Sequence, residues 1–147
     1  LKEYGLEKAR TIILDLIFNK SITEKQFAHL YGKLCLQLIE LYDELFKEDI
    51  LKKSDTYYSE HVKKVFIKKE DTSYDEFCDN NKLKKKLIGI FIFVAHLYVQ
   101  GIISTEIILK YIESLFTSIY NSKEYEVEIY CLYGLFPIVC KKLENDL

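Results

Sequence analysis

Residues 82–103 constrain the fold of this chain more than any other stretch. They begin with four lysines in five residues and then run almost wholly apolar from Leu87 to Val99. A helix that is apolar on every side has to be buried on every side, in a protein core or in a membrane. A membrane span needs about 20 apolar residues, and His96 and Gln100 interrupt this run before it reaches that length. The sequence therefore predicts a core helix around which the other segments pack.

The composition favours helices over sheets. The 147 residues include one Pro and five Gly, which are too few for the many turns of a sandwich or a barrel. Hydrophobic residues make up 49% of the chain and charged residues 30%, so a packed core is expected and disorder is not. The net charge of −2 provides no overall basic field that would draw the chain to nucleic acid.

The four cysteines and three histidines lack the spacing of a metal site. A zinc site built from distant positions is the alternative. Cys35 and Cys131 fall on apolar helical faces, where a free Cys behaves as a small hydrophobe, and reduced thiols fit a cytoplasmic protein. The chain has no phosphate loop, nucleophile motif or paired carboxylates. We therefore expect neither an enzyme nor a bound cofactor, metal or small-molecule substrate.

Apolar residues at helical spacing predict two helices in the first third of the chain. The first spans Leu6 to Asn19 and the second ends near Phe46, with Thr23 and Gln26 as a capping box that opens it. The residues expected to face inward are Leu6, Ala9, Ile13, Leu16 and Ile17 in the first helix and Phe27, Leu30, Tyr31, Leu34, Leu38, Leu41 and Leu45 in the second.

The charged segment between residues 47 and 82 is less regular. Its pattern predicts a loop at Thr56–Tyr58 and a short helix from Glu60 to Lys69, with Ser59 as its cap. Ser73–Glu76 forms a second capping-box pattern, and the Asp79–Asn81 run predicts a break after it.

Three longer helices complete the prediction. The central helix runs from Lys82 to Gln100 and ends at Gly101, and Ser104 caps the helix that follows. A last helix spans Glu124 to Lys142, with Pro137 inside it. The chain is thus expected to be all-α, either as a bundle or as a stack of antiparallel helical hairpins.

Three ordered blocks of this sequence resemble the middle domain of eukaryotic translation initiation factor 4G, over about residues 6 to 143. The first block is Asp15–Ile22 with Phe27, Tyr31 and Cys35, and the second is Val62–Ile67 with Tyr74–Phe77. The third is Lys84–Lys86 with Gly89, Phe93, Leu97, Ile102 and Ile103, after which Cys131 and Leu135 are similar to the family's next repeat.

The resemblance implies a HEAT-repeat solenoid that acts as a cytoplasmic scaffold in translation initiation. In the family, the middle domain binds a DEAD-box helicase, initiation factor 4A, through turns and helix ends along one edge, and it also contacts RNA. The single domain over residues 1–147 is expected to be truncated at both ends, since the family's opening helix would precede Leu6 and its final repeats would follow Leu147. The abundance of Ile, Lys, Tyr and Asn suggests an AT-rich genome, such as that of a large DNA virus or a parasite.

Two sets of contact residues follow from the resemblance and the charge pattern. The helicase is expected to contact two turns, at Asn19, Lys20, Glu24, Lys25, Gln100, Ser104 and Glu106. RNA phosphates are expected at Lys82, Lys84, Lys85, Lys86, Lys63 and Lys64, with Tyr57, Tyr58 and Tyr74 as stacking faces. The alternatives are solvated lysines at a helix N-terminus and tyrosines at the edge of the core.

A second architecture stays open as the alternative: an all-helical bundle wrapped around residues 87–103. It is similar to the apoptosis-regulating Bcl-2-like proteins, which bind an amphipathic partner helix in a groove. The Gly-Arg signature of that family is not found before the central helix. A bundle predicts a core wrapped around its centre, whereas a solenoid predicts contacts between neighbouring repeats.

Overall fold

The structure, a computed structural model, describes residues 2–42, 44–66 and 73–147, without the side chains of residues 2–4 and 61–66. These residues form α1 (Lys2–Thr23), a 3₁₀ turn (Lys25–Phe27), α2 (Ala28–Tyr42), α3 (Glu44–Phe66), α4 (Tyr74–Val99), α5 (Thr105–Asn121) and α6 (Glu126–Asp146). They contain no β-strand, so the all-helical prediction is confirmed.

Helix α4 begins at Tyr74, directly after its N-cap Ser73, and continues for 26 residues. The Ser73 hydroxyl accepts a hydrogen bond from the backbone N–H of Glu76 at 3.2 Å, which confirms the cap. The predicted break at Asp79–Asn81 is wrong, because α4 passes through these residues. Asp and Asn each lower helix stability by only about 0.7 kcal/mol, which the packing of the apolar half of α4 outweighs. Lys82–Lys86 therefore lie inside a helix, so the predicted start of the central helix at Lys82 is wrong, although its four lysines are exposed to solvent.

The end of α4 has the predicted caps. Gly101 has a φ of 79°, a conformation that favours glycine. Its N–H donates to the carbonyl of Tyr98 at 2.9 Å, and the N–H of Ile102 donates to the carbonyl of Leu97 at 3.0 Å, which is the Schellman arrangement. Ser104 then accepts from the N–H of Ile107 at 3.3 Å and opens α5. These bonds define a tight turn over residues 100–104.

Helix α4 packs against all five of the other α-helices described. Between Leu87 and Tyr98 every residue is buried except the half-buried Ile88, Ile92 and His96. The predicted core helix is confirmed. None of the described helices has the length and apolarity to cross a membrane.

Contacts along α4 show how its neighbours are oriented. Helix α1 is antiparallel to α4, because Phe18 packs edge-on against Phe93 at a centroid distance of 5.0 Å while Ile22 meets Gly89. Helix α6 runs in the same direction as α4, because its successive contacts from Gly134 to Lys142 meet α4 from Ile92 to Tyr98.

Helices α1 and α3 lie side by side in the same direction. Three pairs in register link them, Arg10 with Asp49, Asp15 with Lys53, and Phe18 with Tyr57. Helix α3 is continuous through Thr56–Tyr58, so the predicted loop there and the cap at Ser59 are wrong. The predicted helix from Glu60 is the later part of α3, and residues 67–69 lie outside the described part of the chain.

The apolar stripe predicted to bury one face of α2 is buried only in part: Tyr31 and Leu38 are half-buried and pack against the core, and its other five residues are exposed. Helix α2 is buried through the small residues Ala28, Gly32 and Cys35. A Cβ built on Gly32 would lie 3.2 Å from the Cβ of His96, so small side chains allow the two backbones to approach closely. The exposed apolar residues of this region are Phe27, Leu30, Leu34, Leu41 and Leu45. The prediction was wrong for the five exposed residues because small side chains, which let the two backbones approach, form the centre of the contact with α4.

Helix α1 buries large apolar residues, and the predicted stripe is confirmed only at Ile17. Leu6, Ala9, Ile13 and Leu16 are exposed, whereas Leu14, Ile17 and Phe18 are buried. The end of α1 also differs from the prediction. The capping box at Thr23 is also wrong. The Thr23 hydroxyl donates back to the carbonyl of Asn19 at 2.8 Å, and Thr23 ends α1. Helix α2 ends at Tyr42, before the predicted limit of Phe46.

The last two helices agree better with the sequence prediction. Ile108, Tyr111, Ile112 and Leu115 bury one face of α5, and the break at residues 121–122 is present. In α6 the buried residues include Val127, Cys131, Leu135 and Val139, and Pro137 lies inside the helix as expected.

Candidate partner-binding surfaces

The turn between α1 and α2 is stabilised by its own polar groups. Lys20 pairs with Glu24 at 3.1 Å, and the hydroxyl of Tyr31 donates to the other oxygen of Glu24 at 3.1 Å. These bonds, that of Lys20 first, lower the pKa of Glu24. Asn19 accepts a hydrogen bond from Tyr57 at 3.1 Å. The predicted contact residues of this turn thus form one ordered, largely exposed surface.

The close approach of Gly89 to Ile22 brings Lys25 of this turn towards Lys85 of α4. Lys25 is half-buried, and burial, followed by the positive charge of Lys85, lowers its pKa. A helicase candidate and an RNA candidate therefore share one surface.

The lysines of α4 do not all face this turn. Residues three, four and seven positions before Gly89 share its side of the helix, and these are Lys86, Lys85 and Lys82. Lys84 projects from a different side. We name Lys25, Lys82, Lys85 and Lys86 the cationic edge; all four side chains are exposed or partly exposed. The side chains of Lys63 and Lys64 lie outside the described part of the chain.

The other predicted helicase contacts lie at the far end of α4. Gln100 is 15 residues beyond Lys85, a separation of about 22 Å at ~1.5 Å per helical residue. The Ser104 hydroxyl caps α5, while Glu106 is exposed in the first turn of that helix. The seven predicted helicase contacts therefore fall into two groups, one beside the middle of α4 and one at its C-terminal end.

The turn over residues 100–104 is held by a polar cluster that the sequence did not reveal. The carboxylate of Asp146 accepts from the hydroxyl of Tyr98 at 2.6 Å and from that of Thr105 at 3.2 Å. Lys142 donates to the carbonyl of Tyr98 at 2.7 Å, and its ammonium lies 4.5 Å from the Tyr98 ring centre. The partners are more than 40 residues apart in the sequence, so no local pattern could have predicted the cluster.

Two of the three tyrosines predicted as RNA-stacking faces are used inside the protein. Tyr57 packs against Phe18 with a ring-centroid distance of 5.4 Å. Tyr58 packs edge-on against Phe91 and Tyr111 and donates a hydrogen bond to Ser114. The core-edge alternative is correct for both. Tyr74 is 78% exposed at the start of α4 and remains accessible.

Side chains that could take part in catalysis or metal binding are scattered across the described residues. No cluster of three His, Cys, Asp or Glu side chains with metal-binding geometry occurs among them. Burial raises the pKa of the Cys35 thiol to about 12. The rings of His29 and His96 lie 6.1 Å apart, and burial, followed by His29, lowers the pKa of His96.

A cavity of about 250 Å³ lies between α1 and α3. Its lining is Thr11, Leu14, Asp49, Lys52, Lys53, Thr56 and Tyr57. Most of these residues are polar or charged by type, but the surface that they present to the cavity is more apolar than polar, and they hold no arrangement of nucleophile and base.

No family model, no curated protein and no solved structure matches this chain.

Proposed function

We propose that this chain is a translation-initiation scaffold of the initiation factor 4G middle-domain type, which binds a DEAD-box helicase of the initiation factor 4A type and RNA. The observation that carries the proposal is the division of polar surface along α4. The cationic edge lies near the middle of α4, and the capped turn over residues 100–104 lies about 22 Å away at the end of the helix, at ~1.5 Å per residue. Separate surfaces on one rigid element suit a scaffold that holds two ligands at once.

The proposal includes the HEAT-type stack. Helices α1 and α3 share a direction opposite to that of α4 and α6, as in layers of antiparallel hairpins. Among the helices described, none of the closely packed pairs joins α1 or α2 to α5 or α6. The first helix of a middle repeat contacts the repeats on both sides, and α4 contacts described helices both before and after it in the chain.

The cationic edge is the proposed RNA site. Lys25 and Lys85 are close enough to repel each other, and an RNA phosphate between them would relieve that repulsion. Each phosphate contact made by a lysine adds about −0.7 to the slope of log affinity against log salt for single strands. This assignment moves Lys25 from the helicase contacts to the RNA contacts.

The turn over residues 100–104 and the start of α5 form the proposed helicase site. The backbone of the turn is fixed by the caps at Gly101 and Ser104, and Gln100 and Glu106 present polar side chains beside it. A rigid turn loses little conformational entropy on binding, which suits recognition by a protein partner.

Two charge reversals test both assignments in the whole chain. We expect Glu106→Lys to weaken binding of the helicase, measured by calorimetry with and without RNA and ATP, and to leave RNA affinity unchanged. We expect Lys85→Glu to weaken RNA binding and to leave helicase binding unchanged. Lys84→Glu is the matched control, since it makes the same charge change on another side of α4. The proposal fails if the unaltered chain neither binds the helicase nor changes its ATPase rate.

The bundle of the Bcl-2-like type is the second candidate, favoured by the central position of α4. Its partner helix would need an apolar groove. The cavity between α1 and α3 has Asp49, Lys52 and Lys53 in its lining and a volume of only about 250 Å³. Titration with amphipathic helical peptides separates the two candidates, because specific binding would favour the bundle.

A further inference from the structure

Asp146 joins the two sides of the turn over residues 100–104. Its Oδ2 accepts from Tyr98, two residues before the turn, and from Thr105, the first residue after it. The hydroxyls of Tyr98 and Thr105 are themselves 3.4 Å apart. One carboxylate oxygen on α6 thus closes a ring of three oxygens around the base of the turn.

We call Asp146 with its two hydrogen bonds, to Tyr98 and Thr105, the clamp. The clamp adds a restraint that the backbone of the turn lacks. The bonds from Gly101 and Ile102 tie the first half of the turn to the last residues of α4. They do not fix the direction in which α5 leaves. The bond from Thr105 to Asp146 supplies that second restraint, because α6 is anchored beside α4 by the bond from Lys142 to the Tyr98 carbonyl.

The ring of Tyr98 is fully buried, so its hydroxyl has little access to water at the edge of the core. A buried hydroxyl without a partner costs free energy, and the carboxylate of Asp146 provides a charge-assisted bond. Burial, followed by this bond, raises the pKa of Tyr98, so the hydroxyl stays protonated and donates.

We infer that Asp146 is a positioning residue for partner binding, which holds the turn over residues 100–104 in the conformation that a helicase recognises. The inference rests on the proposed function. Preorganisation lowers the entropy that the turn loses on binding, so the clamp contributes to affinity without a direct contact.

Three variants and a control test the inference. Tyr98→Phe removes the hydroxyl but keeps the ring, Asp146→Ala removes the acceptor, and Asp146→Asn restores a neutral acceptor. Tyr58→Phe is the matched control, because it also removes one tyrosine hydroxyl bond, that to Ser114, at the contact of α3 with α5. Amide hydrogen exchange of Gly101 and Ile102 reports on the turn, and calorimetry reports on the helicase.

We expect Tyr98→Phe and Asp146→Ala to speed exchange in the turn and to weaken helicase binding by about tenfold, the equivalent of one charge-assisted hydrogen bond. Asp146→Asn should recover part of both losses, and Tyr58→Phe should alter neither. RNA affinity should stay constant in all four variants.

Three results would overturn the inference while the proposed function stands. One is unchanged amide exchange at Gly101 and Ile102 in Asp146→Ala. Another is faster exchange with helicase affinity equal to that of the unaltered chain, and the third is a loss of helicase affinity that Tyr58→Phe shows as well. Absence of helicase binding by the unaltered chain would instead overturn the proposed function and the inference with it, and the exchange data would still show whether the clamp orders the turn.

Discussion

A Cβ atom built on Gly89 of α4 would lie 2.3 Å from the carbonyl oxygen of Ile22 in α1. Any larger residue at position 89 has to move backbone, and not a flexible side chain. We expect Gly89→Ala to lower the free energy of unfolding by about 1–3 kcal/mol, the usual cost of overpacking, as measured by urea denaturation.

Gly5→Ala is the control, since nothing lies within 4 Å of a Cβ at that helical position. It should stabilise α1 by about 0.5–1 kcal/mol. Equal midpoints for Gly89→Ala and the unaltered chain would contradict the close approach.

The two predicted capping boxes should respond differently to mutation. Ser73 accepts a bond from Glu76 at the start of α4, so Ser73→Ala should cost about 1 kcal/mol of unfolding free energy. Thr23 ends α1 and donates to the carbonyl of Asn19, so Thr23→Ala should stay within about 0.5 kcal/mol of the unaltered chain. Denaturation of both variants checks this, and a larger loss at Thr23 would restore the capping box there.

The pKa of Lys25 should rise when Lys85 is made neutral. Burial is the main cause of its lowered pKa, and the charge of Lys85 is the second, so Lys85→Gln should reverse only part of the shift. NMR titration of the lysine side-chain resonances measures it. Lys84→Gln serves as the comparison, because Lys84 projects from another side of α4. If both variants changed the Lys25 pKa equally, the cationic edge would have been assigned to the wrong lysines.

Stability should fall as the pH drops below about 6.5, the ordinary pKa of His96. Burial, followed by His29, lowers the pKa of His96 in the folded chain, so the unfolded state binds the proton more tightly. This contribution is complete above pH 6.5 and is lost as the pH falls through the folded pKa. His96→Gln should flatten the pH profile of the unfolding free energy between pH 7 and pH 5. An unchanged slope would show that other groups control acid stability.

Helix existence could be predicted from the sequence far better than helix boundaries. The apolar run from Leu87 to Val99 identified the buried helix, and Gly101 and Ser104 gave its end because their caps depend on local geometry. The break predicted at Asp79–Asn81 was wrong, since the low helix propensity of these residues is outweighed by the packing of the apolar half of α4.

The buried face of α2 could not be predicted from hydrophobic spacing. Gly32 and Cys35 form the contact because α4 passes close to them, and this distance is set by the whole fold. Among the candidate sites, the cationic residues of α4 were found from their charge alone. Their pairing with Lys25 and the clamp at Asp146 join distant segments, so only the folded chain brings them together.

The unbroken course of α4 from Lys82 to Val99 has a mechanical consequence. One helix carries the lysines near its middle and the turn at its end, so the length of the helix fixes the distance between them. Thermal bending of such a packed rod is small, and an RNA strand and an enzyme docked on it would keep a constant spacing. A flexible joint at Asp79–Asn81 would lie outside this interval, so even a hinge there would leave the spacing intact.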